Sequence, residues 1–366
     1  MAKRSGMEKY IRPDLAAFGG YAAATSPETL DGKVEVPVEQ IIKLDANENP
    51  YGCSPRVNRA LANYRYFNIY PDNGQMELRK LLARYAGVAA RYIVAGSGSN
   101  QLIDLVLRLL LNPGDEAINC VPTFGLYRFS TELCGGSLVE VPRDKNFAVN
   151  VKAVKAAVTK RTKVICLANP NNPSGTMTPR EDLLAILDTS IPVLLDEAYY
   201  EFGKQTVADL VGQYPNLIVL RTFSKWAGLA GLRVGYGLFP EQMAEYLLSI
   251  KTPYNVNVAA LVAVKESLKD VDYLKGKVEA IVKERKRLFG KLKQIKWLKP
   301  IPSQANFILC SVLKGEGKDL WQRLQEKGIL VRYFDQPRLE NCIRISVGKP
   351  EHTDILIKVL REIGGK

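Results

Sequence analysis

Histidine is nearly missing from this chain: His352 is the single one among 366 residues. That count excludes any metal centre built from several histidines. A histidine-based triad would have to use His352, which is expected in a polar, solvated turn within 349–354. If the chain has an acid–base group, it is expected to be something else. Cysteine is sparse and scattered, at positions 53, 120, 134, 166, 310 and 342, with no Cys-x-x-Cys pair. That spacing removes zinc and redox motifs and points to reduced thiols in a cytoplasmic protein. Long apolar runs are absent too. A membrane span needs roughly 18 such residues, and the nearest stretch, 102–111, carries Asp104 and Arg108. The basic N-terminus MAKRSGMEKY has no apolar segment behind it, so no secretory signal is expected.

Acidic side chains are outnumbered, 38 against 51 lysines and arginines, for a formal charge of +13. Such a balance fits nucleic-acid binding, attraction of anionic substrates, or simple solubility. Much of the excess lies in 265–299, where lysines alternate with Leu, Ile and Val at helical spacing, the pattern of a solvated helix face. A composition 46% hydrophobic and 24% charged is that of an ordinary globular protein. The length favours two domains, or one large domain with a smaller lobe.

From about residue 90 to 240, short apolar segments alternate with amphipathic ones. RYIVAG, DEAINCV, KVICLA, PVLLD, NLIVL and RVGYGLF read as strands, with helical patterns between several of them. This alternation predicts an α/β fold with a mostly parallel sheet. Residues 241–290 read as a helix leaving the large domain followed by one long connecting helix. The tail, from NFILCSV to DILIKVLREI, reads as a compact α+β unit. The first 40 residues are irregular and are expected to drape over another part. The expected division is an N-terminal arm at 1–45, a large domain at 46–255 and a small domain at 256–366.

In sheets of this kind function collects at the carboxyl ends of the strands. Gly96-Ser-Gly-Ser-Asn100 precedes an amphipathic helix and fits either a phosphate cradle or an ordinary helix cap. Asn169-Pro-Asn-Asn-Pro-Ser-Gly175 is too elaborate for a plain connector. Asp196 ends a wholly apolar strand and needs a cationic partner, or its pKa rises. Lys225 follows another such strand; alone it would be read as a side chain reaching solvent. Together, a cradle, a buried acid, Tyr199, an asparagine loop and a lysine match the demands of pyridoxal 5′-phosphate. Its aldehyde needs an amine, its ring nitrogen a carboxylate, its phosphate N–H donors and an arginine.

The stretch RTFSKWAGLAGLRVGY (221–236) resembles the lysine signature of class-II, fold-type-I pyridoxal-phosphate aminotransferases, and most closely that of the histidinol-phosphate aminotransferase family. Ordered blocks extend the resemblance over nearly the whole chain: IKLDANENPYG, NIYPD, GSGSNQLIDL, VPTFGLY, NPNNPSG, LLDEAYYEF, PYNVN, GILVRYF and IRISVG. It implies a large domain with a seven-stranded, mostly parallel sheet flanked by helices, and a smaller α+β domain. It implies that Lys225 carries the cofactor and moves a proton at the substrate Cα, that Asp196 pairs with the ring nitrogen, and that Tyr199 and Asn172 hold the ring oxygen. Phe124, where many relatives have tyrosine, would stack on the ring. Gly98, Ser99, Asn100, Ser224 and Arg233 would surround the phosphate, joined by Tyr70 from a neighbouring subunit of a homodimer. Arg332 and Arg344 would anchor the substrate's carboxylate or phosphate, with Tyr21 and Asn172 as further substrate contacts. The glycines at 228, 231 and 235 are expected to let backbone pass close to the cofactor and to neighbouring strands. The implied reaction is transamination of L-histidinol phosphate with 2-oxoglutarate, without metal, nucleic acid or membrane. The same resemblance leaves open an aromatic-amino-acid aminotransferase and an L-threonine-O-3-phosphate decarboxylase, and the charge of +13 adds a non-enzymatic nucleic-acid binder retaining the fold. The last would need an added DNA-binding domain, for which the residues before the first block are too few and irregular.

Overall fold

The computed structural model describes residues 6–16, 18–20, 26–30 and 34–364. Its main sheet has seven strands: β2 Ile93–Gly96, β3 Glu116–Val121, β4 Ser137–Pro142, β5 Thr162–Ala168, β6 Val193–Asp196, β7 Leu217–Thr222 and β8 Gly235–Leu238, in the order β2-β8-β7-β6-β5-β3-β4. A second sheet joins β1 Ile42–Leu44 to β9 Leu298–Pro300, β10 Phe307–Val312, β11 Ile329–Tyr333 and β12 Cys342–Ser346, in the order β1-β11-β12-β10-β9. The α/β architecture expected from the alternating pattern is thus present, with seven strands in the large sheet.

β5, β6 and β7 are read easily in sequence because both faces of a central strand are covered, leaving near-continuous apolar runs. Period-2 alternation sorts them. Ile165, Leu167, Val193, Leu195, Leu217 and Val219 join one core. Val164, Cys166, Leu194, Ile218 and Leu220 join the core on the other face. The sheet is parallel except for β8, which runs antiparallel to both β7 and β2. Parallel strands need a long crossover. Only the loop 223–234, with one 3-10 turn at Ala230–Leu232, separates β7 from β8, so the chain returns antiparallel.

Three strands escape the sequence reading. β4 lies at the sheet edge with half its residues exposed, so it shows no apolar run. β1 and β9 have three residues each, too few to reveal a period. The region 241–290 also differs from expectation: it holds Glu241–Ile250, Val258–Leu268 and Val271–Lys293, three helices rather than two. Asn257 starts the second, its side chain accepting from the Ala260 N–H at 2.8 Å. The lysine-rich helix buries Leu274, Val278, Ile281, Leu288 and Leu292 and exposes Lys275, Lys283, Lys286 and Lys293, as its spacing predicts. His352 is not in a solvated turn: it lies half-buried in the first turn of the helix Pro350–Gly364, its ring pushed below the usual histidine range by burial. All six thiols are free.

Candidate active site

The carboxyl ends of β2, β5, β6 and β7 open on a cavity of about 660 Å³, which also receives side chains from β11 and β12. Asp196, the last residue of β6, projects to the same face as Leu194 and meets the helix Leu126–Leu133. Its Oδ2 accepts from the Tyr127 hydroxyl at 3.0 Å and its Oδ1 from the Ala198 N–H at 3.0 Å. Burial outweighs both bonds and pushes the carboxyl up to about 6. Glu197, the next residue, faces the opposite side of the sheet.

Lys225 stands at the matching end of β7. Its Nζ donates to the Ala46 carbonyl at 2.8 Å. The side chain is half-buried and lines the cavity. Burial, reinforced by the cations of Arg344 and Arg233 and opposed by Glu48, pushes it down to about 8. A buried acid held up and a buried amine held down, facing one cavity, is the pattern of a proton-transfer site.

The phosphate-cradle alternative for residues 96–100 gains support from geometry. Ser97 precedes the helix Gly98–Leu110 without a side-chain cap, so the first N–H groups are left for another acceptor. Gly98 has φ +74°, and a Cβ there would lie 2.5 Å from Arg233 Nη2, so only glycine allows the guanidinium this close. Arg233 Nη1 donates to Ser224 Oγ at 3.3 Å and to the Ala230 carbonyl at 3.1 Å, and Arg233 forms no ion pair among the described residues. Ser99, Asn100, Ser224 and Arg233 all line the cavity. These are the donors an anion requires.

On the other side of the cavity, the antiparallel register of β11 and β12 sets Arg332 directly opposite Arg344. Like charges in such a pair repel, and an anion between them relieves the repulsion. Arg344 donates through Nη1 to Asn172 Oδ1 at 2.6 Å and through Nη2 to the Asp45 carbonyl. Its guanidinium lies 5.2 Å from the Phe307 ring centre, while Arg332 lies 5.9 Å from that of Phe334. Phe124 lines the cavity and meets Tyr127 edge-on at 5.7 Å. Tyr199 completes the group, with its hydroxyl accepting from Asn47 Nδ2 at 3.0 Å.

One expected residue stands apart from this convergence, and another lies outside the described residues. Tyr70 is 78% exposed, away from the chain's own cavity, and stacks on Tyr254 at 4.5 Å. Tyr21 lies outside the described residues. Gly231 lines the cavity, and a Cβ there would meet no protein atom within 4 Å, whereas one on Gly228 would lie 2.3 Å from the Gly52 carbonyl. The sequence reading also missed Tyr127, which lay within VPTFGLY one turn beyond Phe124, and Asn47, within LDANENP. Phe18, Phe129 and Glu132, which line the cavity mouth, carried no signal in sequence, because only tertiary packing brings them together. Among the described residues no cluster of His, Cys, Asp and Glu fits a metal ion, and no helix is long and apolar enough to cross a membrane.

A parallel sheet whose strand ends carry an acid, a lysine and an anion cradle defines an aminotransferase-type site, and residues 39–360 match the model of the class I and II aminotransferases. The chain is 55% identical to the histidinol-phosphate aminotransferase of Dehalococcoides mccartyi, covering 98% of this chain and 99% of the relative. It is 45% identical to the chloroplastic histidinol-phosphate aminotransferase 1 of Arabidopsis thaliana, over 97% of this chain and 86% of that one. The crystal structure of histidinol-phosphate aminotransferase from Sinorhizobium meliloti in complex with pyridoxal-5′-phosphate superposes with a TM-score of 0.88, at 27% identity, covering 96% of this chain and 98% of that one. The chain belongs to the histidinol-phosphate aminotransferase family.

Proposed function

We propose that the chain transfers the amino group of L-histidinol phosphate to 2-oxoglutarate, giving imidazole acetol phosphate and L-glutamate, with pyridoxal 5′-phosphate as cofactor. The observation that carries this reading is the convergence of Lys225 and Asp196 on a cavity with an anion cradle at one side and two arginines at the other. The residues fit the cofactor on their own terms. The absence of a Cβ on Gly98 lets the Arg233 guanidinium sit against the start of the helix with Ser224 beside it, and this set of donors suits a phosphate. Asp196 suits a cationic ring nitrogen, which would bring its raised pKa back down.

When bound, the cofactor supplies an electron-withdrawing ring that stabilises the charge left at the substrate Cα after a proton departs. The chain does the rest. Phe124 would lie against the ring, and Tyr199 and Asn172 would hold the ring oxygen. Gly98, Ser99, Asn100, Ser224 and Arg233 would hold the phosphate. Lys225, with its amine held near neutrality, takes and returns the proton at Cα. Arg332 and Arg344 grip either a phosphate monoester or a carboxylate, so both substrates use one pocket. Tyr21 would be a further substrate contact.

The rest of the proposal concerns organisation. The two sheets support division into an arm at 1–45, a large domain at 46–255 and a small domain at 256–366, although β1 of the second sheet comes from the arm's end. A cytoplasmic homodimer would set Tyr70 at the neighbouring cavity, and the exposed Tyr66, Phe67, Ile69 and Tyr70 support a covered surface there.

Assaying the purified protein with histidinol phosphate, phenylalanine and threonine phosphate tests the reading. The highest kcat/KM is expected for histidinol phosphate. Faster turnover of phenylalanine, or carbon dioxide release from threonine phosphate, would replace it with one of the rival activities. Lys225→Ala should lose both turnover and the cofactor's lysine-dependent absorption band.

A further inference from the structure

Asn47 has φ +56° and is 1% exposed, in the segment just after β1. Non-glycine residues adopt this left-handed conformation uncommonly, asparagine more readily than most. Its four polar groups all have partners. Its backbone N–H donates to Ser346 Oγ at 2.9 Å, so the serine hydroxyl turns its proton to Asn47 Oδ1, at 2.9 Å. With Oδ1 committed as acceptor, Nδ2 is the end of the amide that meets the Tyr199 hydroxyl, at 3.0 Å. The Asn47 carbonyl is held in turn by Asn306 Nδ2 at 2.9 Å. The neighbouring carbonyls of Asp45 and Ala46 accept from Arg344 and Lys225.

We infer that Asn47 is a positioning residue: the directed chain Ser346→Asn47→Tyr199 makes the Tyr199 phenol an acceptor toward Asn47 and turns its proton away, toward the ring oxygen of the cofactor. The inference rests on the cofactor reading above. An N–H donated to a phenol oxygen makes its O–H a stronger donor, because the oxygen's charge is already partly stabilised. A stronger donor withdraws charge from the ring oxygen and lowers the pH at which the lysine-bound cofactor loses its proton. Because Ser346 lies two residues beyond Arg344 on β12, the strand that presents the substrate anchor also sets this donor.

The test is a pH titration of the cofactor absorption band in the holoenzyme. Asn47→Ala leaves the surrounding charges of Asp45, Glu48, Asp196, Lys225, Arg332 and Arg344 in place. It should raise the midpoint by about 0.5–1 pH unit, the worth of one net hydrogen bond. Ser346→Ala, which frees the amide to turn, should raise it by less. In a Tyr199→Phe background, Asn47→Ala should have no further effect on the midpoint. An unmoved midpoint in both single variants, or an equal shift with and without the Tyr199 hydroxyl, would overturn the inference while leaving the cofactor reading intact. A wild-type protein with no such band after loading would overturn both.

Discussion

At the residue scale, Asp196 and Lys225 hold pKa values displaced toward each other, to about 6 and about 8, and in both burial is the largest cause. For Asp196 the folded state binds its proton more tightly than the unfolded chain. The carboxylate therefore costs stability, fully above about pH 6 and not at all below the ordinary value of 3.8. The displacement corresponds to about 3 kcal/mol. Asp196→Asn should thus raise the melting temperature of the cofactor-free protein by a few degrees at pH 7.5 and hardly at pH 4, while turnover falls at least ~100-fold. Thermal scans at the two pH values, with an activity assay, check this; an equal effect at both would refute it. For Lys225 the second largest cause is the cation of Arg344. Arg344→Gln should move the Lys225 midpoint up from about 8 toward the ordinary lysine value of 10.5. The rate of its chemical modification against pH, read by mass spectrometry, measures that midpoint. Which lysine and which acid matter was legible in sequence, because a charged residue ending an apolar run is conspicuous. That Tyr127 is the partner of Asp196 was not, since 69 residues separate them.

At the scale of elements, the ends of β6 and β7 are tied together on the face away from Asp196. Arg221 Nη2 lies 2.9 Å from Glu197 Oε2, with side chains 2% and 0% exposed. Thr206 donates to the same carboxylate, and the guanidinium lies 3.7 Å from the centre of the Tyr200 ring. Alternation along a strand makes this arrangement possible: the residue after Asp196 must face the other side, where odd-numbered Arg221 already points. Removing one partner leaves a buried charge uncompensated. Glu197→Gln should destabilise the fold by about 3–5 kcal/mol, and adding Arg221→Met should restore part of the loss. Urea unfolding of the singles and the double gives the coupling; additive losses would mean the pair acts as two independent groups. The lysine loop depends on a second contact. Gly228, at φ +67° against Gly52, brings that loop onto the segment that follows β1, and Gly228→Ala should cost at least about 1–3 kcal/mol through backbone strain alone. The central strands were readable because both faces are apolar. Edge strand β4 and the three-residue strands β1 and β9 were not, because exposure and shortness erase the period.

At the scale of the whole molecule, the proposed homodimer makes a separate prediction. If Tyr70 serves the neighbouring cavity, a Tyr70→Ala subunit lacks one group and a Lys225→Ala subunit another. Each variant alone should be weakly active or inactive. A mixed dimer formed by co-expression should recover a fraction of wild-type turnover, because one of its two cavities has both residues. No recovery in isolated mixed dimers would show that Tyr70 does not act across subunits. Sedimentation of the wild-type protein should give the mass of two chains.

What this sequence determines by itself is local. Apolar runs specify strands, lysines at helical spacing specify a solvated face, and charged residues ending buried runs specify where chemistry gathers. These follow from burial and periodicity, which each segment carries within itself. The tertiary structure decides what depends on distance through space. It sets Arg332 opposite Arg344 through strand register, brings Ser346 to Asn47 across 299 residues, and delivers Tyr127 to Asp196 across the helix–sheet interface. A hydrogen bond acts only within about 3 Å, and no property of either residue alone encodes that its partner will arrive there.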